Sequence, residues 1–161
     1  MSVFKIRDAE LPQDKPELLE FILELQRFEK VFEPNRRLDE PVAGEYFAVL
    51  IGEVRKNSGR ILVAEGDGGE LLGWGVAYTR EDDVYVVAEE RRFGYISELF
   101  VIEPLRGKGI GQALIKACEA WARSLGLRVL RIGVLAGNKR TATIYDQAGF
   151  APDAMHLRKY L

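Results

Sequence analysis

The run Arg106-Gly107-Lys108-Gly109-Ile110-Gly111 sets three glycines within five residues beside two cationic side chains. Without Cβ atoms the loop can turn several backbone N–H groups towards one point, which makes a cradle for an anion. The flanking residues say what presents that cradle. Ile96 to Ile102 is mostly apolar, β-branched or aromatic with no helical period, so it reads as a buried strand that Pro104 stops. Beyond Gly111, the residues Leu114, Ala117, Cys118, Trp121 and Leu125 recur on one helical face, and Gly126 stands where a left-handed cap belongs. A helix that begins in the cradle aims its unpartnered first-turn amides and the positive end of its dipole at the anion, which favours phosphate or pyrophosphate. Inside the strand, Glu98 is an acid among apolar neighbours, and a carboxylate withdrawn from water needs either an ionic partner or a chemical task.

Spacing separates this loop from other nucleotide-binding loops. It lacks the Gly-x-x-x-x-Gly-Lys-Ser/Thr run of a Walker loop, and its Gly-x-Gly-x-Gly differs from the Gly-x-Gly-x-x-Gly of a dinucleotide fold. The loop resembles the GNAT superfamily signature Gln/Arg-x-x-Gly-x-Gly/Ala, matched by Arg106, Gly109 and Gly111. A second match follows downstream in Asn138, Ala142, Tyr145, Gly149 and Phe150. The resemblance is clear over Tyr95 to Pro152 and only architectural before that.

The resemblance implies an α/β three-layer sandwich, with a mixed, mostly antiparallel sheet of six to seven strands and about four helices, as one domain over 1–161. It implies that the strands holding Leu99 and Val134 splay apart and that acetyl-CoA, the acetyl donor, lies in the wedge. The pyrophosphate would rest on the backbone of Arg106, Gly107, Lys108, Gly109, Ile110, Gly111 and Gln112, with Arg106 and Lys108 adding charge and Arg140 reaching the 3′-phosphate or facing solvent. The N–H groups of Leu99, Phe100 and Val101 would hold the acetyl carbonyl where negative charge develops. Asn138 would hold the cofactor arm or simply cap the last helix. Tyr145 matches the position of a general acid, a phenol of pKa about 10 facing a thiolate whose acid lies near 8.5; the alternative is a core tyrosine. Many members carry glutamate where this chain has Ser97, so Glu98 becomes the candidate base or amine-orienting group, or else a structural, ion-paired acid. Regular alternation would send Glu98 to the opposite face of the sheet from that position.

Other elements must hold these groups in place. Phe4 and Ile6 alternate with polar residues as a first strand. Asp14 should cap a helix that carries Leu18, Leu19, Ile22, Leu25 and Phe28 on one stripe. Asp39-Glu40-Pro41 starts a second helix with Val42, Tyr46, Phe47, Val49 and Leu50 as its apolar residues. Arg60–Glu65 and Glu70–Tyr78 form a hairpin around Gly66-Asp67-Gly68-Gly69, and Gly73-Trp74-Gly75 within it marks a bulge in preference to a close approach. Val84–Val87 is a short apolar run, Glu89-Glu90-Arg91-Arg92 a solvated turn, Val129–Leu135 a further strand, Lys139–Ala148 a helix, and Met155–Leu161 an edge strand containing His156.

The chain of 161 residues is 47% hydrophobic and 30% charged with a formal charge of −2, which gives no basic excess for nucleic acid. No apolar run reaches the roughly 20 residues that span a bilayer, and the first residues lack a secretory core, so the expected location is cytoplasmic. The single cysteine, Cys118, falls on a helical apolar face and reads as a buried thiol. No metal is expected. The leading expectation is an acetyl-CoA-dependent N-acetyltransferase of a primary amine, either a small molecule or a peptide. The alternative is a non-catalytic acyl-CoA-binding regulatory module. Glu29, Glu33, Asp82 and Asp83 are candidates for the acceptor mouth, and a homodimer through the tail is possible.

Overall fold

The structure, a computed structural model, describes residues 3–161. Apolar residues alternate with polar ones in β1 (Phe4–Asp8), whereas largely apolar runs covered on both faces produce β2 (Arg60–Gly66), β3 (Leu71–Glu81) and β4 (Arg92–Val101), and a short β5 (Leu130–Ile132) follows. They form one sheet in the order β1-β2-β3-β4-β5, antiparallel except for β5, which runs parallel to β4. The helices are α1 (Lys15–Glu29), α2 (Pro41–Lys56), α3 (Ala88–Arg91), α4 (Ile110–Ser124) and α5 (Lys139–Gln147).

The apolar stripes of α1 and α2 place Leu18, Ile22, Phe47 and Leu50 against Val63, Trp74, Val76 and Phe100 on one face of the sheet. On the other face α4 packs Ile110, Leu114, Cys118 and Trp121 against Leu62, Leu72, Ala77 and Ile96. Each such side chain contributes about 1.5–3 kcal/mol when removed from water, so the two faces fix helix, sheet and helix as three layers. Gly126, at φ +72°, ends α4 as expected, with the Leu127 N–H reaching back to Ala122 O at 3.0 Å. Gly149, at φ +92°, ends α5 in the same way through Phe150 N–H to Tyr145 O at 3.0 Å.

Several expectations change. The sheet has five strands instead of six or seven, and five helices form instead of about four. β5 is shorter than Val129–Leu135, and the tail from Met155 to Leu161 is extended without a strand partner. Alternation alone makes a strand only where an edge accepts it. Val84–Val87 joins no strand, and the charged run after it becomes α3 and the start of β4. Asp14 precedes α1, but its carboxylate accepts hydrogen bonds from Arg7 and from Glu10 N–H instead of capping the helix.

Of the two glycines Gly73 and Gly75 of β3, the first serves close approach. The register shift opposite Ala64 and Glu65 leaves Leu72 as the extra residue, so the bulge adjoins Gly73 without including it. A Cβ at Gly73 would lie 2.4 Å from Phe100 O, whereas one at Gly75 would meet Cys118 Sγ at 3.8 Å and Leu114 Cβ at 3.9 Å. Gly73→Ala must therefore displace β4 and is expected to cost about 1–3 kcal/mol, and Gly75→Ala, in ordinary contact, less than half of that. Urea denaturation of both variants checks this, and equal midpoints would contradict the geometry.

Candidate active site

β4 is paired on both edges only through Gly94, Tyr95 and Ile96, which lie beside Leu130, Arg131 and Ile132 of β5. From Ser97 onward one edge has no strand beside it, while β3 keeps the other through Val101. Ile102 N–H donates to Leu72 O at 3.0 Å, and the alternation of an antiparallel ladder then turns the main-chain groups of Phe100 to β3 and those of Leu99 and Val101 to the open edge. Phe100 N–H is thus committed within the sheet, unlike its two neighbours.

The cradle lies at the end of this open edge. Gly107 and Gly109 have φ of +78° and +88°, values that side-chain-bearing residues rarely adopt. The first α4 bond is Ala113 N–H to Gly109 O at 3.0 Å, so the amides of Ile110, Gly111 and Gln112 have no intrahelical acceptor. That arrangement suits a phosphate. The Ile110 side chain is buried in the core, Lys108 is exposed, and Gln112 lines a groove between α4 and α5 with Lys116 and Gln147. Arg106 departs from its expected place. Its Nε donates to Val101 O at 2.9 Å, and its guanidinium lies over the rings of Phe28 and Phe100, 5.4 and 5.7 Å from their centroids. It caps the end of β4 instead of extending to the cradle.

A bulge brings the acid to the site. The β3–β4 register passes from Ala77 beside Ile96 to Val76 beside Glu98, so Ser97 is the extra residue. Ile96 packs on the α4 face, whereas Glu98 reaches the face of α1 and α2, where Tyr46 Oη donates to its Oε1. Strict alternation would have kept Ile96 and Glu98 together, so the bulge overturns the expected facing. Glu98 is 4% exposed. Burial pushes its carboxyl up to about 7, the Tyr46 hydrogen bond draws it down, and the charges of Glu29 and Arg36 act in opposite directions.

Four elements converge around Glu98. Glu29, at the end of α1, pairs with Arg36 at 2.6 Å, and burial raises its carboxyl above the usual range. Arg36 also holds Glu33 at 2.9 Å and accepts a tie from α1 by donating to Gln26 Oε1 at 2.8 Å. Tyr145 of α5 is half-buried; burial first, then the charges of Glu29 and Glu98, raise its phenol above its ordinary value. Its ring meets Phe150 edge-on at 6.0 Å, and its hydroxyl has no hydrogen-bond partner among the described residues. Asn138 is 5% exposed and caps α5, accepting from Thr141 N–H at 3.2 Å.

Other expected residues lie elsewhere. Asp82 is held by Arg131 at 2.9 and 2.6 Å, beside the Arg92 end of β4, away from Glu98. His156 lies in the unpaired tail, and Arg140 faces solvent. Glu33, by contrast, does border the Glu98 group, though Arg158 of the tail also binds it at 2.6 Å. The residue that sequence reasoning missed is Tyr46, whose place among the apolar residues of α2 concealed its polar end. Among the described residues no cluster of three or more His, Cys, Asp or Glu side chains could hold a metal, and no helix is long and apolar enough to cross a membrane.

Residues 19–150 match the model of the Acetyltransferase (GNAT) family. The chain belongs to that family. It is an N-acetyltransferase by class, as are the named relatives it resembles. Thialysine N-epsilon-acetyltransferase of Mus musculus is 26% identical over 155 residues, covering 92% of this chain and 85% of that protein. The Bos taurus protein of the same name is 27% identical over the same shares. Among solved structures, a mutant of the Bacillus halodurans protein BH1408 superposes with a TM-score of 0.83 at 21% identity, covering 98% of this chain and 99% of that one. An aminoglycoside 6'-N-acetyltransferase from Acinetobacter haemolyticus gives 0.72 at 18% identity, covering 98% and 99%. These two likenesses concern the GNAT fold.

The buried carboxyl has a thermodynamic signature. An ordinary glutamate titrates near 4.5, whereas Glu98 keeps its proton in the folded protein up to about 7. Between those values the fold holds a proton that the unfolded chain has lost, so this contribution is complete below the lower value and disappears as pH rises through the upper one. It amounts to about 3 kcal/mol. Glu98→Gln should therefore gain on the native protein by about that amount between pH 4.5 and 8 in urea denaturation. An equal stability difference at both pH values would refute the raised carboxyl.

Proposed function

We propose that this protein transfers the acetyl group of acetyl-CoA to a primary amine, with Glu98 taking a proton from the amine and Tyr145 donating a hydrogen bond to the departing sulfur. The observation that carries the reading is the convergence of Glu98 and Tyr145 beside the stretch of β4 that has a free edge and leads into the glycine cradle. Acetyl-CoA would supply an acyl thioester already activated for attack. The cradle amides of Ile110, Gly111 and Gln112 would hold its pyrophosphate, with Lys108 adding charge, while the main-chain groups of Leu99 and the N–H of Val101, whose carbonyl Arg106 occupies, would pair with its extended arm as an added strand does.

An alkylamine reaches the site protonated and must lose a proton before it can attack. A carboxylate with proton affinity raised to about 7 is a stronger base than an ordinary one, and Glu29 and Glu33 offer further negative charge to attract the cation. Tyr145 is shifted the same way with a different consequence. Because burial makes its phenol reluctant to ionise, it serves best as a fixed hydrogen-bond donor where negative charge grows, and a proton it passes to the leaving sulfur is replaced by the second proton that the amine nitrogen loses on becoming an amide. The names of the mammalian relatives, which specify an ε-amine, support an acceptor whose amine ends a flexible chain. The exposed apolar residues Met155, Leu157, Tyr160 and Leu161, together with the open edge of β5, support pairing of two copies, which light scattering would detect.

Two variants separate the binding claim from the chemical one. Gly109→Asp puts a side chain on backbone at φ +88° and a negative charge in the cradle, so calorimetry should find acetyl-CoA affinity reduced at least tenfold in a folded protein. Tyr145→Phe keeps the ring and loses only the hydroxyl. Turnover, followed by thiol release with a panel of primary amines, should fall about 10²-fold or more at nearly unchanged acetyl-CoA affinity. A turnover loss below about threefold would return Tyr145 to a packing role.

A further inference from the structure

We propose that Tyr46 is the positioning residue of the site, its phenol fixing one oxygen of Glu98 so that the other faces the space where an amine must lie. The inference rests on the reading of Glu98 as the base, and it starts from an asymmetry between the two carboxylate oxygens. Oε1 accepts the Tyr46 hydroxyl. Oε2 has no hydrogen-bond partner among the described residues, yet it is absent from the polar atoms that are both enclosed and unpaired, a group that includes Trp74 Nε1. A side chain only 4% exposed thus keeps one free oxygen in contact with accessible space. A buried carboxylate without a fixed donor would turn to whichever neighbour offered a proton; Tyr46 removes that freedom.

The placement is specific to these elements. Tyr46 lies on α2 with Ala43 buried in the turn before it and Phe47 and Leu50 buried in the turn after it, so its ring has a defined height above β4. The bulge at Ser97 lifts Glu98 to the same face. Neither half works alone: without the bulge the carboxylate would lie under α4, and without the phenol it would lie under α2 with no donor. Burial and the neighbouring Glu98 charge both hold the Tyr46 phenol in its protonated form, so it remains a donor at any pH where the enzyme is folded.

The other charged and titratable groups around Glu98 are Glu29 of α1, Arg36 from the α1–α2 connection, Tyr145 of α5, and Tyr78 and Tyr95, which stack edge-on at 5.8 Å beside Tyr46. Arg36 is occupied by Glu29, Glu33 and Gln26. Tyr46 is therefore the only group among the described residues that donates a hydrogen bond to the Glu98 side chain. A donor to the charged form lowers a carboxyl's proton affinity, so losing it leaves burial less opposed.

The test is Tyr46→Phe, which keeps the ring and removes the donor. Glu98 is titrated directly by carbon NMR of carboxyl-labelled glutamate, with Glu98→Gln identifying its resonance, and kcat/KM is measured against pH with acetyl-CoA and a primary amine. The Glu98 midpoint should rise by about one pH unit or more, and the acid limb of kcat/KM should move with it, with activity recovering at higher pH. A folded Tyr46→Phe protein whose Glu98 midpoint is unchanged overturns the proposal. So does a rise in midpoint accompanied by a pH-independent loss of activity, since Tyr46 would then act other than through Glu98. The NMR titration needs no turnover, so it also separates this inference from the reading beneath it: full activity in Glu98→Gln would refute Glu98 as the base while leaving the effect of Tyr46 on its midpoint measurable.

Discussion

Everything at the site depends on β4 losing its second neighbour after Ile96. A strand in the middle of a sheet has all its amides and carbonyls paired, and nothing else can bind to them. Here β5 stops at Ile132 while β4 continues to Val101. The main-chain groups of Leu99 and Val101 are left facing a wedge, a cost the fold accepts because the other edge remains bonded to β3 and both faces stay covered by helices. Arg106 reduces that cost by donating to Val101 O, and its stacking on Phe28 and Phe100 ties the end of the strand to α1.

The bulge at Ser97 uses the same strand for a second purpose. A regular strand offers one apolar face to each helical layer, and an acid at any inward position would displace a core side chain. Inserting one residue lets Ile96 serve the α4 layer and Phe100 the α1–α2 layer, with Glu98 entering between Phe100 and the tyrosines of the latter. The consequence for the carboxyl is a raised proton affinity, which is the property the proposed base requires near neutrality.

The parts of this arrangement differ in how far the chain's residues announce them. The cradle was legible because its requirement is local: positive φ at Gly107 and Gly109 needs glycine, and the helix that follows shows its period from Leu114 to Trp121. The three layers were legible because α1, α2 and α4 each carry a continuous apolar stripe. The bulge was not, since a strand this apolar shows no alternation for a slip to break, and only the register against Val76 and Ala77 reveals it. Tyr46 was hidden for a related reason: aromatic residues on an inward helical face read as packing, and the hydroxyl matters only once Glu98 is known to lie beneath it. The missing strands failed for a different cause. Met155 to Leu161 alternates well, but pairing depends on a free edge and an approach that alternation does not encode.

The two side-chain oxygens without a hydrogen-bond partner among the described residues, Glu98 Oε2 and Tyr145 Oη, belong to β4 and α5, and one influence acts on both. Desolvation is the largest influence on both, and it disfavours the charged form of each. For the carboxyl this strengthens a base; for the phenol it preserves a donor. One desolvated environment thereby raises the proton affinity of both groups, and this is the division into base and donor that the proposed transfer requires. The same reasoning bears on Arg36, bound to Glu29 and Glu33: a guanidinium in direct contact with Glu98 would lower its proton affinity, whereas at one remove it neutralises the surrounding acids and leaves the Glu98 carboxyl raised.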